Sequence, residues 1–281
     1  MTMAEQAAAA GLHRVGARPP LGAYLRQAWE RRDFAFAMAR FRLQAGQQGN
    51  RLGMLWLVLR PTLNALIYGT IFGLIQRGTR PPDYPAYVVI GVFLFEYFSQ
   101  CFNNGAKSIT SNKALVQSLS FPRITLPISV VIQQFLSLVP TLGVMVLALL
   151  VLGHHPTWHW LELIPLLALF TLFNAGVAMI CARLTVHVAD LTQTLPFINR
   201  ILFYSSGVLF SVDNVLEGHS WAIAAFDFYP VYQVLQIARG ALYWDGAYPH
   251  EYWVYLTLSS LVVLVAGVLF FWVAEERYGR D

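Results

Sequence analysis

The sequence has very little charge in its middle. Between Arg123 and Arg183 there is no lysine or arginine, and the single acidic residue is Glu162. Over the whole chain 57% of the residues are hydrophobic and 12% are charged. A membrane-spanning helix needs about 20 apolar residues, so this stretch is long enough to cross a bilayer twice, with a polar break at residues 153–156. The composition predicts a polytopic membrane protein.

Lysine and cysteine are scarce as well. The two lysines, Lys107 and Lys113, do not follow a glycine-rich loop, so there is no Walker A motif. If ATP drives this protein, another polypeptide binds the ATP and its Mg²⁺. The two cysteines, Cys101 and Cys181, lie in apolar runs without metal-ligand spacing and are predicted to be packing residues. We therefore predict no catalytic residue, no metal and no cofactor in this chain.

Nothing in the sequence indicates nucleic-acid binding, because no soluble basic domain is present. The net charge of +4 is explained by arginines that lie beside anionic lipid headgroups.

A metal site and ion-coupled transport are also disfavoured. His154, His155 and His159 cluster at a predicted external turn, where a hydrated loop is favoured over a metal site. Ion-coupled carriers place ionisable residues at membrane depth and often show inverted repeats. Here Glu96, Arg60 and Arg200 lie in apolar runs, and no such repeat is found.

Six membrane spans are predicted. Backbone amides cannot stay unpaired in lipid, so runs this apolar must be helices, whereas a transmembrane barrel would show short alternating strands. The third span is too long for one straight helix along the membrane normal, so it tilts or extends into the cytosol. The predicted spans are Met54–Gln76, Tyr84–Asn104, Ile124–Leu152, Leu161–Leu184, Leu191–Ser211 and Tyr252–Ala274.

The distribution of basic residues orients the bundle. Most of them fall before the first span, between spans two and three, around the turn between spans four and five, and after span six. The opposite connections hold three arginines and six acidic residues, so the positive-inside rule places both termini in the cytoplasm. The basic residues assigned to the cytoplasmic side are Arg14, Arg18, Arg26, Arg31, Arg32, Arg40, Arg42, Arg51, Lys107, Lys113, Arg123, Arg183, Arg200, Arg277 and Arg280.

The N-terminal region contains no apolar core typical of a secretory signal. Residues 1–20 are predicted to be a disordered cytoplasmic segment. Residues 21–53 are predicted to form an interface segment, in which Leu21–Phe41 is an amphipathic helix with apolar residues among arginines. An ordinary cytosolic linker is the alternative.

Several segments carry a resemblance to a known family. They are Asn50–Pro61 (NRLGMLWLVLRP), Ser108–Val116 (SITSNKALV), Phe121–Pro127 (FPRITLP), and the pieces YPVY and ARG within Tyr229–Gly240. In this order the chain resembles the permease subunit of ABC-2-type polysaccharide exporters, the family of O-antigen, teichoic-acid and actinobacterial galactan permeases. Two positions depart from the family pattern. Ala189-Asp190 stands where the family often has Arg-Asp, and residues 205–208 (SSGV) replace Ser-Pro-Ile.

The segment between spans two and three is predicted to be a short helix, at about 105–120. Its apolar residues lie on one side, and Phe121-Pro122 ends it because proline disfavours helix in the preceding residue. The resemblance implies a coupling helix that docks on an ATPase, whereas the residues alone also allow a capped turn. The residues predicted to contact the ATPase are Asn112, Lys113, Leu115, Val116 and Leu119.

The external segment Val212–Tyr252 is unusually apolar for a loop. Its pieces Trp221–Phe228 and Val231–Tyr243 are too short to span a membrane. They suit two re-entrant or interfacial helices at about 221–243, which must pack on protein or line a pore. The resemblance implies gate helices, and the predicted gate residues are Trp221, Tyr229, Pro230 and Tyr232.

Aromatic and cationic residues in spans one and five suggest a path for a lipid-linked sugar. Aromatic rings with nearby polar groups hold sugar rings, and arginine donates two parallel hydrogen bonds to phosphate. Packing between helices and snorkelling to lipid headgroups are the alternatives. The predicted substrate path is Tyr68, Phe72, Phe197, Phe203 and Tyr204. The arginines predicted to receive a lipid pyrophosphate are Arg51, Arg60 and Arg200.

Together these features predict the membrane subunit of an ATP-driven exporter, a homodimer with two copies of a separate nucleotide-binding protein. The predicted substrate is a polyprenyl-pyrophosphate-linked polysaccharide, and the scarcity of lysine favours an actinobacterial galactan. The main alternative is an ABC-2 permease for small molecules or lipids. A membrane-embedded glycosyltransferase would want paired catalytic carboxylates, and the external acids form no such motif.

Overall fold

The computed structural model describes residues 19–46, 51–76, 78, 80–119 and 121–275, and these contain α-helices and short 3₁₀ turns with no β-strand among them. The predicted disordered residues 1–18 and the basic residues Arg277 and Arg280 lie outside the described part of the chain. The helices are α1 Leu21–Glu30, α2 Arg32–Ala45, α3 Trp56–Ile75, α4 Tyr84–Ala106, α5 Lys113–Ser118, α6 Thr125–Val151, α7 Leu163–His187, α8 Leu191–Ser205, α9 Val212–Val215, α10 Ser220–Asp227, α11 Pro230–Leu242 and α12 Glu251–Val273.

The described chain is an all-α polytopic membrane protein. Five helical segments are long and apolar enough to cross a membrane. They match predicted spans one to four and six, with ends that differ by a few residues. These segments are Gly53–Ile75, Tyr84–Ala106, Thr125–Val151, Trp158–His187 and Glu251–Val273.

The predicted length of the fifth span is wrong. Its helix, α8, has 15 residues and ends at Ser205, six positions before the predicted end. At 1.5 Å per residue α8 is about 22 Å long, which is less than the roughly 30 Å of a hydrocarbon core. The helix stops because Gly207 adopts a left-handed conformation with φ +70°. Residues 206–209 are nevertheless buried, so the non-helical backbone is shielded by protein.

Helix α4 is the centre of the bundle. Most of its residues are buried, and it packs against α3, α6, α7, α8 and α11. Helices α7 and α12 form the most extensive pair, and they meet where both carry glycine. A Cβ atom on Gly176 would lie 2.5 Å from the carbonyl oxygen of Val263, and one on Gly267 would lie 2.6 Å from the carbonyl oxygen of Gly176. These glycines allow the two backbones to touch.

The predicted amphipathic helix is split in two at Arg31. Helix α2 packs along α6 and buries Ala35 and Ala39, whereas Trp29 and Phe41 remain exposed. Helix α1 is held by Tyr24, which is completely buried. The end of the bundle that holds Pro19 and Glu275 is called the terminal end below, and the end that holds α10 and α11 is called the distal end.

Candidate functional site

A polar cavity of about 300 Å³ lies in the terminal half of the bundle. Its walls come from α2, α3, α4 and α6. A cavity lined by charged and amide side chains is unusual in a membrane domain, where polar residues are costly unless they meet water, a partner or a ligand. The polar and charged residues around it include Arg42, Arg60, Glu96, Gln100, Asn104 and Gln133.

One wall of the cavity is a row of hydrogen-bonded side chains on α4. Gln100 donates from Nε2 to Oε1 of Glu96 at 2.7 Å, and Asn104 donates from Nδ2 to Oε1 of Gln100 at 2.9 Å. The three residues are four apart and so lie on one face of the helix. We call Glu96, Gln100 and Asn104 the polar row. From the sequence, Glu96 is predicted only as an isolated ionisable residue, although the spacing of i, i+4 and i+8 is present in the sequence.

The cationic residues of the cavity come from two helices. Arg42 on α2 donates from Nη1 to Oγ of Ser129 at 3.2 Å, and its Nη2 is buried without a hydrogen-bond partner among the described residues. Burial lowers the pKa of Arg42, but a guanidinium remains protonated in proteins. Arg60 lines the same cavity from α3.

The three predicted pyrophosphate-binding arginines are not brought together in this cavity. Arg60 lines it, whereas Arg51 lies in the turn before α3 and Arg200 is exposed on α8, and neither belongs to the lining. The second arginine in the cavity lining is Arg42, which was not predicted. Sequence reasoning missed it because α2 is packed along α6, a contact that local sequence does not reveal.

Aromatic rings from three helices meet beside α8. The ring centroid of Phe203 lies 5.0 Å from that of Tyr68 on α3, 5.1 Å from that of Phe95 on α4 and 5.4 Å from that of Tyr204. Three of the five predicted path residues are therefore neighbours, and Phe95 joins them without having been predicted. Tyr204 is also 45% exposed, so the cluster has an open side.

The other two predicted path residues lie apart from that cluster. Phe72 is partly buried against the main core. Phe197 is 65% exposed on α8. The same helix exposes Gln193, Thr194, Arg200 and Ser205, so its free face mixes aromatic, polar and cationic groups.

At the distal end a buried arginine holds the non-helical segment after α8. The Nη2 atom of Arg239, on α11, lies 3.0 Å from the carbonyl oxygen of Gly207 and 3.2 Å from that of Val208. Its guanidinium carbon lies 3.3 Å from the ring centroid of Tyr87. The Tyr87 hydroxyl donates to the carbonyl oxygens of Gly207 and Phe210, at 2.8 and 2.6 Å. These contacts supply partners for carbonyl groups that the helix no longer bonds.

The sequence predicts Arg239 in the external connection between spans five and six, within the short helix Val231–Tyr243. The structure places it in the core with no exposed surface. Gly91 on α4 makes room for it, since a Cβ there would lie 2.8 Å from Nη2 of Arg239. The sequence does contain a signal for its burial, because Arg239 stands among apolar residues in a segment long enough to form a helix.

The two short helices predicted between spans five and six form where they were predicted. Helices α10 and α11 are separated by Phe228 and Tyr229, and α11 is buried along almost its whole length against α4 and α12. Of the predicted gate residues, Trp221 is 75% exposed, whereas Tyr232 is buried and packs edge-on against Phe226 and Tyr252. Tyr229 and Pro230 are half-buried at the break. Their gating role remains a prediction.

The predicted coupling segment contains a shorter helix than expected. Gly105 and Ala106 still belong to α4, a 3₁₀ turn follows at Thr110–Asn112, and α5 covers Lys113–Ser118. Asn112 donates from Nδ2 to the carbonyl oxygen of Ser108 at 2.7 Å, which stabilises that turn.

The apolar residues of α5 do not form one free face. Val116 is 4% exposed and Leu115 packs partly against the same cluster, which includes Tyr24 and Ile124. Val116 therefore holds α5 on its own protein, and its prediction as a free docking residue is corrected. Lys113 and Leu119 remain exposed, Leu119 at 52%.

Beside α5, a buried carboxylate joins three distant segments, which we call the terminal junction. The Tyr24 hydroxyl donates to Oε2 of Glu275 at 2.7 Å, and the backbone N–H of Arg123 donates to Oε1 at 3.0 Å. The Tyr24 oxygen in turn accepts from the N–H of Ile124 at 3.2 Å. Burial raises the pKa of Glu275, and the bonds from Arg123 and Tyr24 and the Arg123 charge act against that rise.

The histidines at the distal end do not converge. His159 contacts Glu162 at 2.7 Å, His154 packs edge-on against Tyr243, and His155 is exposed. Within the described ranges no group of three or more histidine, cysteine or acidic side chains could hold a metal ion. Tyr248 donates to Glu162, and burial together with this hydrogen bond raises the pKa of Tyr248 to about 12.

Comparison with known proteins gives a consistent picture. Residues 35–243 match the family profile described as ABC-2 type transporter. The chain is 29% identical over 239 residues to the O-antigen export system permease protein RfbA of Klebsiella pneumoniae, covering 85% of this chain and 90% of that relative. It is 28% identical over 194 residues to a protein of the same name from Myxococcus xanthus, covering 69% and 74%.

A more distant relative is named for a different cargo. The polysialic acid transport protein KpsM of Escherichia coli is 23% identical over 228 residues, covering 80% of this chain and 87% of KpsM. The names of these relatives thus refer to two different polysaccharides.

Proposed function

The chain belongs to the ABC-2 type transporter family, and from that premise we propose that it is the transmembrane subunit of an ATP-driven exporter of a polyprenyl-pyrophosphate-linked polysaccharide, such as a galactan. The relatives named above are permeases or transport proteins for O-antigen and polysialic acid. Both names refer to a polysaccharide, which favours this cargo class over a small solute.

The proposed orientation places the terminal end in the cytoplasm and the distal end outside a bacterial cytoplasmic membrane. Exposed cationic side chains at the terminal end include Arg26, Arg31, Arg40, Arg51 and Lys113. Acidic side chains are exposed near the distal end, among them Asp213, Glu217 and Glu251. By the positive-inside rule, the end with the excess of arginine and lysine faces the cytoplasm.

The observation that carries the proposal is the free face of α8. It exposes Gln193, Phe197, Arg200 and Tyr204 within a membrane domain. Polar and cationic groups are costly against lipid tails, so this face requires a water-filled path or a second protein surface. A homodimer in which two copies enclose a path along α8 and the neighbouring α3 meets that requirement.

Aromatic residues along such a path suit a sliding glycan. The rings of Tyr68, Phe203 and Tyr204 form one cluster with Phe95. Aromatic rings give apolar contact to the C–H faces of sugars while tyrosine adds a hydroxyl. Such contacts do not depend on one sugar identity, and a long polymer needs tolerance of this kind.

The energy source is proposed to be a separate ATPase that binds ATP and Mg²⁺, present in two copies. The exposed residues Lys113 and Leu119 of the α5 segment lie at the terminal end, and Leu119 lies next to the terminal junction. Exposed apolar and cationic side chains on one short segment are suitable contacts for a soluble subunit.

A small-molecule or lipid permease is the second candidate. The observation that favours it is the size of the polar cavity, about 300 Å³, which is at the lower end of typical small-ligand pockets. A glycan exporter instead requires the larger path between two copies.

The test is export by the chain reconstituted with its ATPase in proteoliposomes. Tyr204→Ala with Phe203→Ala should slow release of polyprenyl-linked glycan into the lumen at least roughly tenfold, which corresponds to about 1.4 kcal/mol, while basal ATP hydrolysis persists. Phe135→Ala, at an exposed aromatic residue of α6, is the matched control and should export normally. Equal export by the double variant and the control would contradict the glycan path. Transport of a drug but no glycan would favour the second candidate.

A further inference from the structure

We propose that the polar cavity binds a lipid headgroup in which a phosphate adjoins a polyhydroxylated ring, with the phosphate at Arg42 and Arg60 and the ring on the polar row. Two lipids have this chemistry: the polyprenyl-diphosphate end of the glycan substrate, and an inositol phospholipid that resides in the membrane. For the first source the inference rests on the proposed function, and for the second it does not.

The cavity lies at the depth of a headgroup and extends inward from it. Arg60 is four residues inside α3, about 6 Å from its start, and Glu96 is ten residues before the end of α4, about 15 Å from it. Asn104 lies close to that end. One wall is α2, whose exposed apolar residues suit the membrane surface. A ligand here reaches from the interface towards mid-membrane.

Neither arginine of the cavity is in direct contact with a carboxylate of the described chain. In the described part of the chain, no carboxylate lies within 4.0 Å of a guanidinium nitrogen of Arg42 or Arg60. The Nη2 atom of Arg42 is buried and has no partner among the described residues. A phosphate supplies both the charge and the acceptor oxygens, because the planar guanidinium donates to it through two parallel N–H groups.

The polar row favours a hydroxylated ring as the group attached to the phosphate. After the two bonds within the row, each amide retains an N–H, Asn104 retains its oxygen, and Glu96 retains Oε2. Donors and acceptors that alternate along one face suit neighbouring ring hydroxyls, each of which donates and accepts. Trp56 also lines the cavity and offers an apolar ring surface to sugar C–H groups.

The charges also orient the headgroup. The Glu96 carboxylate repels phosphate, so phosphate stays with the arginines near the membrane surface. The ring then lies deeper, beside Glu96.

The binding test uses the complete complex of this chain and its ATPase in nanodiscs, with bound lipid measured by native mass spectrometry. The probes are phosphatidylglycerol, phosphatidylinositol and a polyprenyl diphosphate that carries one N-acetylglucosamine. The wild type should retain at least one ring-bearing lipid about tenfold more strongly than phosphatidylglycerol.

Arg42→Gln and Arg60→Gln should each lower retention of that lipid about tenfold. Arg40→Gln, at an exposed arginine of α2 outside the lining, is the matched control and should bind as the wild type does.

A second pair of variants tests the ring. Gln100→Ala and Asn104→Ala should remove the preference over phosphatidylglycerol while leaving phosphatidylglycerol retention unchanged. Equal retention of all three lipids by the wild type, or wild-type retention in Arg42→Gln, would overturn the proposal. Selective retention of phosphatidylinositol alone would establish the cavity as a resident-lipid site. Loss of glycan export with intact headgroup binding would instead count against the exporter function, so the two failures are distinguishable.

Discussion

The hydroxyl of Tyr24 donates a 2.7 Å hydrogen bond to Oε2 of Glu275, although the two residues are 251 positions apart. Through Glu275 this bond connects the first helix with the backbone of Arg123, which directly follows the α5 segment. The segment that follows α5 is thus hydrogen-bonded to α1 and to the residues just after α12. We expect the terminal junction to transmit movement from an ATPase to the spanning helices.

Removing the Tyr24 hydroxyl tests this transmission. Tyr24→Phe keeps the buried ring but leaves one Glu275 oxygen and the Ile124 N–H without their partner. We expect ATPase binding to persist and glycan export per ATP hydrolysed to fall about threefold or more. The ratio is measured in proteoliposomes, with Tyr255→Phe as the control because no side-chain hydrogen bond to its hydroxyl is recorded in the described structure. An unchanged ratio of export to ATP hydrolysis would mean that the junction only stabilises the fold and does not transmit movement.

Glu275 should also make stability depend on pH. Because burial raises its pKa above the ordinary 4.5, the folded state binds a proton more tightly than the unfolded state. This contribution is fully present below the unfolded pKa and is lost as the pH rises through the folded pKa. The melting temperature in detergent should thus fall from about pH 5 to about pH 8 more in the wild type than in Glu275→Gln. Parallel profiles for the two proteins would contradict this assignment.

Arg239 should be irreplaceable by lysine. Lysine keeps the charge but cannot lie flat on Tyr87 or present the same planar donors to the carbonyls of Gly207 and Val208. Loss of such buried hydrogen bonds costs about 1–3 kcal/mol. Arg239→Lys should lower the melting temperature in detergent by several degrees, whereas Arg80→Lys, at an exposed position, should not. Similar melting of both variants would mean that Arg239 does not hold the segment.

The contact of α7 with α12 should be sensitive to one methyl group. A Cβ on Gly176 would lie 2.5 Å from a backbone oxygen, whereas a Cβ on Gly143 of α6 would have no atom within 4 Å. Overpacking of this kind costs about 1–3 kcal/mol. Gly176→Ala should reduce the yield of folded protein in size-exclusion chromatography, and Gly143→Ala should not. Equal yields would show that the helices can separate without cost.

The α5 segment offers a prediction that separates docking from folding. Leu119→Asp places a charge at an exposed position and should abolish co-purification with the ATPase while the membrane subunit remains folded. Val116→Asp buries a charge without a partner, so it should lower the yield of the membrane subunit itself. Thr157→Asp, exposed at the distal end, is the control for added charge. Normal co-purification of Leu119→Asp would remove this residue from the interface.

Local sequence predicted the helices well for a physical reason. Backbone groups in lipid must be satisfied within their own segment, so an apolar run of sufficient length has to be a helix wherever it lies. This argument holds for α4, α6 and α12 without knowledge of their neighbours. The break at Tyr229-Pro230 was predictable too, because proline acts on the residue directly before it.

This reasoning fails where residues from other segments, rather than the segment itself, supply hydrogen-bond partners for the backbone. Helix α8 ends at Ser205, before the left-handed Gly207, but the non-helical carbonyls that follow can be buried only because Arg239 and Tyr87, distant in sequence, supply hydrogen-bond partners for them. The inward direction of Val116 likewise depends on Tyr24 and Ile124 packing beside it. These contacts join distant segments, so local sequence does not reveal them.

The sequence by itself thus determined the membrane class, the approximate helix boundaries and the family, since these depend on apolar run lengths and short motifs. The tertiary structure alone decided which charged residues work together. It paired Arg42 with Arg60 around a cavity, buried Arg239 in the core and joined Tyr24 to Glu275. Contacts between distant segments depend on how helices pack against one another, and packing is a property of the whole chain rather than of any stretch within it.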